Sequence, residues 1–333
     1  MLHMTPKKSL LFVFTLVLLT ALELPAQASW IWSPDIGKCI NPKKAAKDTP
    51  EDQYGWAMGF YNSKQWDRAI EEFDKIPEYF PTSRLAAEGV YYAGLSWEEK
   101  KDIAKAADSF KKLVDKYPYS DRIKDAIKHE FDIANEFARG QKLKVLGIAA
   151  LPAQDKALEL YQHVVKNAPF GTYGDQAQFK IGELYKTQGE YEDAQKAFQA
   201  LVDEYPGSPL SAQASFEIAT ASRLASEKSQ YDEQHAERAI QEFQGYKNAF
   251  PTDAKSLEAE QSIRELRTKK AQTSYNIAAF YEKQGKWDSA KVYYQEVANK
   301  YSDTSLAETA KKKAQQMLEK QSQPPAGKKF GIF

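Results

Sequence analysis

One arrangement of residues recurs six times along this chain, and it leaves few folds open. Its clearest copy is IGELYKTQGEYEDAQKAFQALVDEYP, ending at Pro206. A small residue (Gly182) is followed by an aromatic (Tyr185), a turn with Gly189 and Tyr191, then Ala194, Phe198 and a closing Pro206. The same frame gives Ala57, Phe60, Trp66, Ala69, Phe73 and Pro81, then Gly94, Trp97, Ile103, Ala106, Phe110 and Pro118. It returns as Ala134, Phe137, Ala157, Tyr161 and Pro169, and as Ala219, Ala239, Phe243 and Pro251. The last copy is Ala278, Tyr281, Trp287, Ala290 and Tyr294, with Ser302 at the proline position. Each copy reads as two helices joined by a turn. The small residues let the helices approach, the aromatics fill the space between them, and the proline ends the second helix because it cannot donate the next backbone hydrogen bond. Such a unit cannot bury its apolar face alone, so it must stack on its neighbours.

The frame is similar to the tetratricopeptide (TPR) repeat, a helix–turn–helix unit of about 34 residues. The expected fold is therefore all-α: a TPR-type α-solenoid of about six helix hairpins in a right-handed superhelix, with almost no strand. It should run from near Glu51 to near Lys320. Asp48-Thr49-Pro50-Glu51-Asp52 reads as its start, with a cap, a first-turn proline and acids at the positive end of the helix dipole.

Outside the repeats the sequence divides plainly. Residues 1–28 read as a signal peptide: Lys7 and Lys8, an apolar run from Leu10 to Leu22, and the small-residue site Ala26-Gln27-Ala28. The chain is thus expected to be exported. Residues 29–50, with Trp30, Trp32, Pro34, Pro42 and Pro50, read as an extended arm, either pinning its tryptophans on the first repeat or serving as a tether. Insertions relative to the repeat fall at about 139–154 and 224–235. Ser256 to Lys270 reads as a helical stretch leading into repeat six, and 321–333, with Pro324, Pro325, Lys328 and Lys329, as a disordered tail. The lone cysteine, Cys39, excludes a disulfide within the chain. It lies well beyond the apolar run, preceded by Asp35-Ile36-Gly37-Lys38, which is not the short small-residue box of a lipid attachment site. Its readings are an incidental thiol, an intermolecular disulfide, or a lipidated residue.

Charge and motif exclude several functions. Lys plus Arg and Asp plus Glu number 46 each, and this balance argues against nucleic acid, whose binding needs a basic field. The four histidines (His3, His129, His163 and His235) do not fall at metal-ligand spacing with one another or with Cys39. There is no nucleophile elbow and no phosphate loop. No catalytic residue, cofactor or metal is expected, and the chain reads as a non-enzymatic binding protein.

Two groups of residues are candidates for binding. The fifth position of each first helix is aromatic throughout: Tyr54, Tyr91, Phe131, Phe179, Phe216 and Tyr275. In TPR geometry the first helices line the concave wall, so this column, with Tyr61, suits an extended or helical peptide carrying aromatic and aliphatic side chains. The same rings can instead pack against neighbouring helices, or do both. Neighbouring positions vary: Met58 and Tyr61 in repeat one, then the polar Glu98, Asn135, Arg139, Glu183, Lys186 and Arg223. The second group is the aliphatic insertion loop, with Leu143, Val145, Leu146, Ile148 and Leu151. It can cap the groove, meet a partner, touch the membrane surface, or fold back on its own repeat.

The signal, the tryptophan-bearing arm and the repeats closed by Tyr-Pro resemble the outer-membrane-protein assembly factor family BamD over most of the mature chain. The closest local likeness is Leu266-Arg267, Tyr275-Asn276-Ile277-Ala278-Ala279-Phe280-Tyr281, Gly285-Lys286-Trp287, Ala290 and Tyr301-Ser302-Asp303-Thr304. The resemblance implies a periplasmic, outer-membrane-associated scaffold that is membrane-peripheral at most. Its N-terminal repeats would hold the C-terminal signal of unfolded β-barrel precursors, and its C-terminal repeats would dock the periplasmic domains of the barrel insertase. This chain departs from the family at Ser302 and Ser274, in its number of repeats, and in lacking a lipid box. A soluble periplasmic TPR partner of the Tol–Pal envelope system is the alternative, though such proteins usually carry an N-terminal coiled coil and no heptads precede Trp56.

Overall fold

A computed structural model describes residues 31–33, 38–40, 45–140, 142–145, 148–228 and 233–322. The signal segment, Trp30, Leu146 and the tail 323–333 lie outside the described residues. Among the described residues, thirteen helices follow two short strands. They are α1 (Pro50–Asn62), α2 (Trp66–Tyr79), α3 (Arg84–Glu99), α4 (Ile103–Lys116), α5 (Ile123–Ala138), α6 (Gln154–Asn167) and α7 (Gly174–Gln188). After them come α8 (Tyr191–Glu204), α9 (Ser211–Lys228), α10 (Glu233–Ala249), α11 (Lys255–Lys283), α12 (Trp287–Lys300) and α13 (Ala307–Ser322). The first twelve make the six hairpins of a TPR-type solenoid, and α13 follows as a terminal helix. The helix ends carry the expected chemistry. Thr49 caps α1, its side chain accepting from the Asp52 amide, with Pro50 at the first position.

The chain forms two compact units, 1–126 and 127–333. In both, the hairpin interior is built as the repeat demands. Ala69, Ala106, Ala157, Ala194, Ala239 and Ala290 are all completely buried. A Cβ on Gly182 would lie 2.6 Å from the Phe198 ring, and one on Gly94 would lie 2.8 Å from the ring of Phe110. These two glycines are small because a ring occupies the space a side chain would need. Two buried glutamines add a polar lock within the hairpin. Gln53 Nε2 donates to the Glu72 carbonyl and Gln178 Nε2 to the Ala197 carbonyl, both at 2.8 Å. Both sit one residue before the aromatic of the fifth position, and neither was singled out by the repeat frame.

Three segments take more definite form in the structure. The helical stretch that leads into repeat six is continuous with that repeat's first helix: α11 runs unbroken for 29 residues. Its first half, through Ala259 and Leu266, packs with Ala239, Phe243 and Tyr246, while its second half, through Ala271 and Ala278, packs with Ala290, Tyr294 and Val297. No glycine or proline interrupts it, and burial on both halves holds it straight through. Within the N-terminal arm two extended segments pair: β1 (Ile31–Ser33) lies antiparallel to β2 (Lys38–Ile40), placing Trp32 opposite Cys39. Trp32 is 59% exposed, so it is not pinned in a core. The first insertion is a β-ribbon rather than an irregular loop. Strands β3 (Lys142–Val145) and β4 (Ile148–Pro152) pair antiparallel, with Leu143 opposite Leu151, Val145 opposite Ile148 and an irregularity between Leu143 and Lys144. The run is rich in β-branched and aliphatic residues, which favour strand pairing over coil.

Candidate functional site

The aromatic column is first of all a set of ring pairs. In every hairpin the fifth-position ring meets the aromatic of the second helix. The centroid distances are 6.0 Å for Tyr54–Phe73, 5.9 Å for Tyr91–Phe110 and 5.9 Å for Phe131–Tyr161. They are 5.2 Å for Phe179–Phe198, 5.5 Å for Phe216–Phe243 and 5.1 Å for Tyr275–Tyr294. Tyr91, Phe131, Phe179 and Phe216 are only 3–8% exposed. Their rings face the second helix of their own hairpin, so little of them is open to a ligand. Tyr54, Tyr61 and Tyr275 remain half-buried and keep an open edge.

The accessible part of the column is concentrated in the first unit. Tyr54 and Tyr61 lie seven residues apart on α1, two turns along one face. Tyr92 on α3 completes the group, 5.9 Å from Tyr54 and 5.2 Å from Tyr61 between centroids. Tyr92 stacks on the buried Phe73 at 5.5 Å and 22°, and Tyr61 meets Trp66 edge-on at 5.3 Å. Each ring is therefore fixed by others before any ligand arrives. Tyr92 was missed by the repeat frame. The signal was available: consecutive residues on a helix point about 100° apart, so burying Tyr91 turns Tyr92 toward the open side.

Electrostatics keep this platform neutral and polar at its rim. Burial, then the neighbouring Tyr92, pushes the Tyr54 phenol well above its usual range. Burial, with Tyr92, Glu99 and Glu98, raises that of Tyr61. Both stay protonated and can donate a hydrogen bond. Arg122 closes one side. Its Nε and Nη2 reach Glu88 at 2.8 and 3.1 Å, its Nη1 reaches Asp125 at 3.4 Å, and the guanidinium lies 4.8 Å from the Tyr91 centroid. The bond to Glu88 raises the Arg122 pKa further. The arrangement offers stacking surface, phenol donors and a held cation, which suits a peptide's aromatic and aliphatic side chains and its backbone carbonyls.

In the second unit, four of the variable polar positions come together. Asn135, Arg139, Glu183 and Lys186 line one cleft of about 340 Å³ with Tyr161 and Lys180. Tyr161 Oη donates to Asn135 Oδ1 at 2.9 Å, Lys180 pairs with Glu183 at 2.6 Å, and Lys186 with Glu217 at 2.5 Å. The C-terminal sequence block has a structural role. Arg267 on α11 grips Asp303 after α12 through Nε (2.8 Å) and Nη2 (2.6 Å), and donates to the Lys300 carbonyl at 2.7 Å. This ties the long helix to the turn that starts α13. Among the described residues no group of three His, Cys, Asp or Glu could hold a metal ion. No described helix is long and apolar enough to cross a membrane.

Comparison with known proteins accords with this architecture. The sequence profile of the outer membrane lipoprotein family YfiO matches residues 153–324, just over half of the chain. A tetratricopeptide-repeat profile matches residues 54–121. Similar solved structures include MamA from Desulfovibrio magneticus RS-1, at 15% identity over 63% of this chain and 99% of that chain, with a TM-score of 0.31. YrrB, described as a TPR protein with an unusual peptide-binding site, is 18% identical over 66% of this chain and 94% of its own, with a TM-score of 0.33. A tetratricopeptide repeat protein from Parabacteroides merdae is 13% identical over 81% of this chain and 98% of its own, with a TM-score of 0.32. At such scores these likenesses carry nothing about function. No protein with a curated function matches the chain in sequence.

Proposed function

The chain belongs to the YfiO family of outer membrane lipoproteins, and on that footing we propose that it is a non-catalytic, BamD-like scaffold at the periplasmic face of the outer membrane. It binds unfolded β-barrel precursors through its first repeats and the periplasmic domains of the barrel insertase through its last. The family match, which lies over the C-terminal repeats, carries this reading. The tyrosine platform supports the client half of it. Tyr54, Tyr61 and Tyr92 form an open aromatic surface backed by Tyr91 and Phe73. A precursor segment ending in an aromatic residue is the ligand chemistry that such a surface selects. Phe131, Phe179 and Phe216 take part as the core that holds the first helices in place, and Tyr275 with an open edge.

Capture from envelope extracts tests the assignment. Recovery of the barrel insertase supports it, and recovery of Pal without the insertase would replace it with the Tol–Pal alternative. Titration of barrel-derived C-terminal peptides then tests the client half, with a Tyr61→Ala, Tyr92→Ala variant as the control that should not bind.

A further inference from the structure

The second half of α11 presents a face that stays open to solvent at Phe280. Phe280 is 57% exposed. With Thr273, Asn276, Ile277 and Tyr281 it lines a shallow depression of about 440 Å³. The face is preformed: Tyr281 stacks on Tyr293 at 5.8 Å and 15°, and Phe280 meets Tyr281 edge-on at 5.7 Å. The opposite side of the same turns is fully used, with Ala271 and Ala278 completely buried. An exposed ring on a rigid helix, beside a second fixed ring, is a docking surface looking for an apolar occupant.

The chain itself supplies one. Helix α13 ends beside this part of α11. Lys313 Nζ lies 3.1 Å and Lys320 Nζ 3.4 Å from Glu282 Oε1, and Lys320 also sits 4.7 Å from the Trp287 ring centroid. Glu282 points about 200° around α11 from Phe280, so the end of α13 lies across the helix from the open face and the chain must pass around α11 to reach it; Ser322, where α13 ends, is two residues from Lys320. Beyond it the sequence runs Gln-Pro-Pro-Ala-Gly-Lys-Lys and then Phe330-Gly331-Ile332-Phe333. At about 3.4 Å per extended residue that spacer spans on the order of 25 Å, about twice the width of a helix. We propose that Phe330, Ile332 and Phe333 dock on Ile277, Phe280 and Tyr281 of the same molecule. Tethering gives the segment an effective concentration on the order of millimolar at this face, so a weak apolar contact suffices. Docked, the tail shields this face of the last repeat, and a partner for that face must displace it.

The proposal does not depend on peptide binding by the tyrosine platform. Hydroxyl-radical labelling of the full chain tests it, comparing the wild type with an F330S, I332S, F333S variant. Those substitutions lie outside every described helix. Labelling of Phe280 and Tyr281 is expected to rise several-fold in the variant, while that of the buried Tyr294 stays the same. Equal labelling of Phe280 in the two proteins overturns the proposal. Protection that is lost on dilution also overturns it, since a second copy's tail would then be the occupant.

Discussion

The ring of Phe179 on α7 meets the ring of Phe198 on α8 at 5.2 Å, and Phe198 in turn lies over Gly182, where even a methyl group would approach it to 2.6 Å. A small residue, a first-helix ring and a second-helix ring thus form one packing unit. Gly182→Ala is expected to overpack this hairpin and cost about 1–3 kcal/mol. Gly59→Ala is the counterpart, because a Cβ there meets nothing within 4 Å. In the exposed interior of α1 it should stabilise by about 0.5–1 kcal/mol. Thermal melts of the two variants moving the same way would contradict this account.

The turn within the hairpin needs a left-handed residue. Gly189 (φ +76°) and Gly285 (φ +70°) supply it in repeats four and six, but Lys64 (φ +58°) and Lys101 (φ +61°) stand there in repeats one and two. A side chain in that region costs about 1–2 kcal/mol, partly offset by the greater entropy a glycine loses. Lys64→Gly should therefore raise the denaturation midpoint slightly, by up to about 1 kcal/mol of stability. A lower midpoint would show that the lysine is held by contacts worth more than the strain.

Binding and stability should separate along the aromatic column. Tyr61→Ala and Tyr92→Ala remove open rings and are expected to weaken binding of a peptide ending in an aromatic residue by about 2 kcal/mol or more. Phe131→Ala and Phe179→Ala remove buried rings, so each should cost about 3–5 kcal/mol of stability. Isothermal titration alongside urea denaturation distinguishes the two classes. If the phenylalanine variants keep full stability yet lose binding, those rings line the groove after all.

Asp303 titrates below the usual carboxylate range because Arg267 hydrogen-bonds its charged form. A depressed folded pKa contributes stability above the unfolded value of about 3.9 and loses it as the pH falls through the folded value. The pair is partly exposed, so the contribution should stay below about 1 kcal/mol. The stability gap between wild type and Arg267→Gln should be constant above about pH 5 and narrow as the pH falls below the unfolded carboxylate value of about 3.9. Urea melts across that range check it, and a gap that widens in acid has the wrong sign.

The pairing of Trp32 with Cys39 bears on membrane attachment. A lipidated cysteine must be the first residue of the mature chain, and cleavage before Cys39 would remove β1 altogether. The mature protein is expected to begin at Ser29 with Cys39 unacylated. Mass spectrometry of protein isolated from cells reads this directly, and diacylglycerol on Cys39 would mean that β1 is discarded with the signal.

Much of this architecture was legible in the linear pattern, and its gaps have physical causes. Spacing placed the six hairpins, because small residues, rings and prolines at fixed intervals admit one way of packing two helices. The buried alanines and the start at Thr49-Pro50 followed from the same local rules. Local rules stop where burial depends on what lies across the interface. Tyr91 and Tyr92 are equally aromatic, and only the position of Phe110 and Phe73 makes one core and leaves the other open. The helical stretch at Ser256 leads into repeat six in sequence, and packing against α10 on one half and α12 on the other carries it through as a single helix. The β3–β4 ribbon looks like a loop in sequence because strand pairing is a contact between residues whose partners the sequence does not name. The repeat alone determined that this chain is a TPR-type solenoid of helix hairpins. Tertiary structure decided which rings face water, since exposure is set by neighbours distant in sequence and not by the residue itself.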